Sequence, residues 1–153
     1  MSFVSDIKVS KEQIANLNKH IIDVSGSACD FHGFTNEGNL DYAINKANYQ
    51  SDVIDQATTL MHEIIRGQPF TNANKRTGFE MAKGVLVSGG YALNASSSEI
   101  IPFVESINVS GLSTGEVKDW ITKHSIFTGS SGNFETISGA NVIKDKEMLK
   151  KMD

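Results

Sequence analysis

Apolar residues recur at helical spacing along most of the chain. Ile14, Leu17, Ile21 and Ile22 form one stripe, and a stripe of that period predicts a helix. Ahead of it, Ser10-Lys11-Glu12-Gln13 has the form of a capping box with Ser10 as N-cap and Gln13 at the third helical position. A helix over 11–23 is expected, broken by Ser25-Gly26-Ser27. Residues 26–39 read as an irregular connection containing Gly26, Gly33 and Gly38, after which Leu40, Ala43, Ile44 and Ala47 predict a short helix. The clearest amphipathic segment runs over 52–66. There Val53, Ala57, Leu60 and Ile64 share one face, flanked by Ile54, Met61 and Ile65. Arg66 falls in the last turn, where a cation suits the macrodipole, and Gly67 is the expected residue just past the end.

A further helix is predicted over 76–88, with Phe79, Ala82, Val85 and Leu86 on its apolar face and Gly89-Gly90 ending it. Tyr91-Ala92-Leu93 reads as connection. Ser98 is the expected cap of a helix through Ile101, Val104 and Ile107, with Pro102 tolerated only if it falls in the first turn. Ser113-Thr114-Gly115-Glu116 is a second capping box, opening a helix with Val117, Trp120 and Ile121. No segment carries the period-2 alternation of a sheet protein over several strands. The expectation is an all-α domain of five to seven helices over residues 1–128. Residues 129–153 follow as a linker rich in Gly and Ser, then either a short terminal helix packed by Ile143, Met148 and Leu149 or a frayed end.

Composition narrows the classes. The 153 residues suit one domain, and 39% hydrophobic residues plus 13 glycines is an ordinary globular content. No apolar run approaches the roughly 18 residues of a membrane span, and Met1–Asp6 has neither the basic nor the apolar region of a signal peptide. The single Cys29 excludes an internal disulfide, and no Cys/His set has zinc spacing. A cytoplasmic setting is expected, with no membrane partner. The net charge of −4 argues against a dedicated nucleic-acid binder. Of the 14 basic residues only Arg66 and Arg76 are arginine, and they flank one loop, Gly67-Gln68-Pro69-Phe70-Thr71-Asn72-Ala73-Asn74-Lys75.

That loop carries the candidate chemistry. Pro69 restricts the backbone after Gln68, and Phe70, its one large apolar residue, is expected to anchor it to the core. Thr71–Asn74 leads into a helix N-terminus, whose free N–H groups and dipole suit an anion. Lys75 and Arg76 add fixed positive charge beside it. This arrangement fits a polyphosphate better than an apolar ligand; the plainer reading is a polar capping loop.

The run Gln68-Pro69-Phe70-Thr71-Asn72-Ala73-Asn74-Lys75-Arg76-Thr77 resembles the signature of the Fic/Doc (Fido) family, His-Pro-Phe-x-Asp/Glu-Gly/Ala-Asn-Gly/Lys-Arg. Its Ala-Asn-Lys-Arg-Thr ending resembles the Doc, or death-on-curing, branch. Gly38–Ile44, Gly89–Leu93 and Gly115–Ile121 resemble other parts of Doc-like proteins, so that the likeness covers about residues 10–127. The resemblance implies a Fido-type helical bundle with the motif loop between two core helices. It implies ATP or a related nucleotide and Mg²⁺ at the loop, and transfer of phosphate or AMP to a hydroxyl of a target protein. The implied partners are elongation factor Tu or another translation or GTPase-type factor, and a small antitoxin. By position, Ala73, Asn74, Lys75 and Arg76 correspond to the nucleotide- and phosphate-binding part, with Lys75 also counted among the catalytic residues, and Pro69 and Phe70 to the structural part of the motif.

Two positions depart from the family. Gln68 stands where the family has its catalytic His, and an amide cannot accept the target's proton near pH 7. Asn72 stands where the family has an acidic metal ligand, and a neutral carbonyl is a weaker partner for Mg²⁺. Both changes imply slowed or lost transfer while the phosphate site remains, which leaves a non-catalytic module that binds nucleotide or protein as the alternative. The same pattern would arise from substitutions made to silence a toxin. His62, six positions before Gln68, is expected to pack away from the loop, and His20, His32 and His124 to be ordinary surface or capping histidines. Ser131-Gly132-Asn133-Phe134-Glu135 matches most of an inhibitory pattern found in many Fic proteins, with Thr136 replacing its last residue.

Overall fold

The computed structural model describes residues 5–129 and 145–152. Seven helices are present among them: α1 Lys11–Ser25, α2 Glu37–Tyr49, α3 Val53–Gly67, α4 Asn74–Ser88, α5 Ser97–Val109, α6 Thr114–His124 and α7 Lys146–Leu149. The Ser131–Glu135 pattern and Ile143 lie outside the described residues.

The centre of the fold is the antiparallel pair α3 and α4, joined by the motif loop. Leu60, Met61, Ile64 and Ile65 of α3 and Phe79, Met81, Ala82, Val85 and Leu86 of α4 are all buried. The two helices approach closely at Gly78, where an added Cβ would lie 2.9 Å from Ile65 Cγ1 and 3.3 Å from the Met61 carbonyl. Around this pair, α2, α5 and α6 pack on α3, α1 packs on α4, and α7 lies on α1. Two capping boxes form as their sequences predict, at Ser10 with Gln13 and at Ser113 with Glu116.

Several local expectations need correction. The cap of α5 is Ser96, paired with Glu99, and not Ser98. Pro102 therefore lies beyond the first turn, inside the helix, which removes one intrahelical hydrogen bond. Burial of Ile100, Phe103, Val104 and Ile107 holds the helix through it. The segment Tyr91–Leu93 is not merely connection: it forms strand β1, antiparallel to β2 Ser125–Phe127, with Ala92 opposite Ile126. At three residues each, these strands are too short for an alternation to register. Finally, Gly67 ends α3 within the helix, and the left-handed step falls on Gln68, at φ 44° and ψ 57°. Asn39 of α2 sits where a Gly67 side chain would go (3.3 Å) and donates from Nδ2 to the Gly67 carbonyl at 2.7 Å. Smallness is used at Gly67 for contact, and not for turning.

Candidate functional site

The loop between α3 and α4 is held from three directions. Its own brace is Asn74, whose Oδ1 accepts from the Phe70 N–H while its Nδ2 donates to the Phe70 carbonyl, each at 2.9 Å. Phe70 is 3% exposed and stacks on Phe34 with ring centroids 5.2 Å apart. The second hold is the preceding connection. Thr35 and Asn36 donate to the Pro69 carbonyl, Thr71 donates to the Gly33 carbonyl, and Asn72 Oδ1 accepts from the Phe31 N–H at 2.8 Å. The third is α1, where Asn18, 1% exposed, donates from Nδ2 to the Asn72 carbonyl at 2.9 Å and to Thr77 Oγ1 at 3.1 Å.

These ties leave a cavity of about 420 Å³ at the N-terminus of α4. Gln68, Thr71, Asn72, Ala73, Asn74, Lys75 and Arg76 form one wall; Ser27, Asp30, Asn108 and Met152 complete it. Ala73 caps α4 in a left-handed conformation, φ 66° and ψ 30°, without a side-chain cap. The N–H groups of Asn72, Ala73 and Asn74 meet no acceptor among the described residues. Successive N–H groups around a left-handed residue form a concavity that suits an anion, and the dipole of α4 acts in the same sense.

The charged residues behave differently from one another. Arg66 is not among the cavity-lining residues; it reaches the Ile107 and Asn108 carbonyls at the end of α5 (3.5 and 3.4 Å). Arg76 borders the cavity but is 3% exposed. Its guanidinium donates to Asp30 Oδ2 and to Ser25 Oγ, both at 3.2 Å. Arg76 is thus a core residue as well as a cavity residue. Lys75 is half-buried at the same wall.

Gln68 is exposed at the cavity edge, and no histidine is among the cavity-lining residues. His62 packs as expected, its ring nitrogens 3.0 Å from the Leu112 carbonyl and 3.1 Å from Glu63 Oε1. His32 pairs with Asp23, and His124 stacks on Trp120 while meeting Glu99.

The donor set does not suit a divalent cation held by the protein. Asn72 Oδ1 already accepts from Phe31, and Asp30, the one carboxylate lining the cavity among the described residues, faces Arg76. No three His, Cys, Asp or Glu residues come together among the described residues. Mg²⁺ binds through carboxylates and phosphate oxygens in octahedral geometry, and this wall offers it neither a free carboxylate nor a cluster.

The Fic/DOC family pattern matches residues 8–86, more than half of the chain and all of the motif loop. The chain belongs to the Fic/DOC family. Membership accounts for the helical architecture and points to a transferase or toxin of the Fido type. No curated protein matches the chain.

Asn18, Ser25, Asp30 and Asn39 are the residues that sequence reasoning missed. Asn18 left one signal, a polar residue between Ile14 and Ile21 on an otherwise apolar stripe. Nothing local marks Asp30 or Asn39.

Proposed function

We propose that this Fic/DOC protein binds the phosphates of an ATP-type nucleotide at the start of α4. There it moves phosphate or AMP to a hydroxyl of a target protein at a rate reduced by the residue at position 68. The supporting observation is the wall formed by Asn72–Arg76. It brings to a cavity of about 420 Å³ the backbone N–H groups of Asn72, Ala73 and Asn74, which meet no acceptor among the described residues, the end of a helix dipole and two cationic side chains. In such a transfer the hydroxyl oxygen bonds to phosphorus. The phosphorus–oxygen bond to the leaving group breaks, releasing ADP or pyrophosphate, and the hydroxyl proton must leave. By likeness to the family motif, Gln68 stands at the position of the base that takes that proton, and it has no basic nitrogen. General-base help is worth on the order of 10²–10⁴ in rate.

The acceptor by family likeness is elongation factor Tu or another GTPase-type translation factor, with an antitoxin as the restraining partner. Labelled ATP incubated with the chain and a cell extract tests the reading, and transfer of label to a protein supports it. A second reading, a module that binds nucleotide or protein without transfer, draws on the pairing of Arg76 with Asp30, which offsets the charge of the loop's arginine. ATP binding without labelling, even in a Gln68→His, Asn72→Asp variant, favours that second reading.

A further inference from the structure

We infer that Asn18 of α1 is the positioning residue that sets the direction of the Ala73 N–H in the phosphate site, a role that rests on the phosphate reading above. Asn18 is 1% exposed and reaches across 54 positions to donate to the Asn72 carbonyl at 2.9 Å. In a trans peptide the carbonyl and the following N–H point in opposite directions, and the chain has no cis bond among the described residues. Holding the Asn72 oxygen towards α1 therefore turns the Ala73 N–H away from α1, to the side where Asn72, Ala73 and Asn74 border the cavity. The next peptide is held in the same sense, because the Ala73 carbonyl accepts from the Thr77 N–H at 2.9 Å and directs the Asn74 N–H out of the helix end. The second peptide is fixed by the helix itself. The first is fixed by a side chain, and Ala73 has a left-handed backbone that no side-chain cap supports. Without Asn18 the 72–73 peptide is free to rotate, and one donor leaves the site.

The test is titration of tripolyphosphate into the full chain and two variants, read by calorimetry, by thermal midpoint and by the amide signal of Ala73. Asn18→Leu keeps the volume and removes the donor. Thr77→Val removes only the other contact of the same Asn18 amide, at 3.1 Å. In the parent, the Ala73 amide shifts as the site saturates. Asn18→Leu binds on the order of tenfold more weakly, the size of one charge-assisted hydrogen bond, while Thr77→Val stays within about twofold of the parent. Equal losses in both variants, in step with their thermal midpoints, overturn the role and reduce Asn18 to a fold contact. So does unchanged affinity in Asn18→Leu. If Asn18→Leu does not fold, the parent decides: an Ala73 amide that does not move at saturation overturns the role. A parent that binds no tripolyphosphate removes the phosphate reading and this inference together, whereas binding that survives Asn18→Leu removes this inference alone.

Discussion

The guanidinium of Arg76 meets the carboxylate of Asp30 at 3.2 Å, with the Arg76 side chain 3% exposed and that of Asp30 15% exposed. Arg76 thus ties α4 to the connection after α1 while facing the cavity. Removing one partner of a buried pair leaves the other charge uncompensated. Arg76→Ala is expected to cost about 3 kcal/mol of stability as well as to weaken anion binding. Urea unfolding of the variant checks the first and calorimetry with tripolyphosphate the second; a variant as stable as the parent would show that the pair carries no weight.

Asp30→Asn tests the other side of the same contact. The substitution takes a negative charge from the cavity wall and leaves an amide oxygen for Arg76. Tripolyphosphate should bind more tightly, and the gain should shrink as salt is added. Affinity that falls at every ionic strength would contradict this.

Restoring the base is the direct test of the altered motif. Gln68→His supplies an imidazole at the cavity edge, and transfer of label from ATP to a protein in extract should rise on the order of 10²-fold or more. Adding Asn72→Asp keeps an oxygen for the Phe31 N–H, since a carboxylate accepts it as the amide does. The double variant should therefore fold normally and show any added dependence on Mg²⁺. Labelling that stays at the parent's level in both would leave the binding module as the better account.

The left-handed backbone of Gln68 predicts a stability gain. A non-glycine residue at φ 44° carries a steric cost of about 1–2 kcal/mol that glycine escapes, offset in part by the extra freedom of glycine in the unfolded chain. Gln68→Gly should raise stability by up to about 1 kcal/mol, read as the midpoint of thermal unfolding. A lower midpoint would mean that the Gln68 side chain itself supports the loop.

Glu80 gives a pH dependence. It lies on α4, 2% exposed, with Lys83 at 3.2 Å from one oxygen and no hydrogen-bond partner for the other among the described residues. Burial pushes its carboxyl above the ordinary glutamate value. The Lys83 ammonium opposes the shift and Asp145, the cap of α7, adds to it. A carboxyl whose folded pKa is raised stabilises the fold below the unfolded value of 4.5, and that contribution is lost as pH rises through the folded value. Glu80→Gln should therefore gain stability relative to the parent as pH climbs from about 4.5 towards neutrality. Urea midpoints at several pH values read this directly; a constant difference would exclude it.

The helices were legible because their causes are local. Ser10 and Gln13, or Ser113 and Glu116, lie within one turn of each other, and the stripe on α3 is a matter of spacing alone. The loop was legible as a polar turn opening a helix for the same reason. What escaped was carried by distance along the chain. Asn18 acts on Asn72 from 54 positions away, Asp30 on Arg76 from 46, and Asn39 on Gly67 from 28. The left-handed turn fell on Gln68 although a glycine stood next to it, because α2 had claimed the space at Gly67. The burial of Arg76 depends on Asp30, whose own surroundings carry no periodic signal.

The clasp of Asn72 and Thr71 onto Phe31 and Gly33 has an evolutionary and a practical corollary. The ten-residue signature is not a portable cassette: transplanted between two other helices, it would lack the strap that bends it. Changes in the unremarkable stretch at 31–36 can therefore reshape the signature without altering one of its letters.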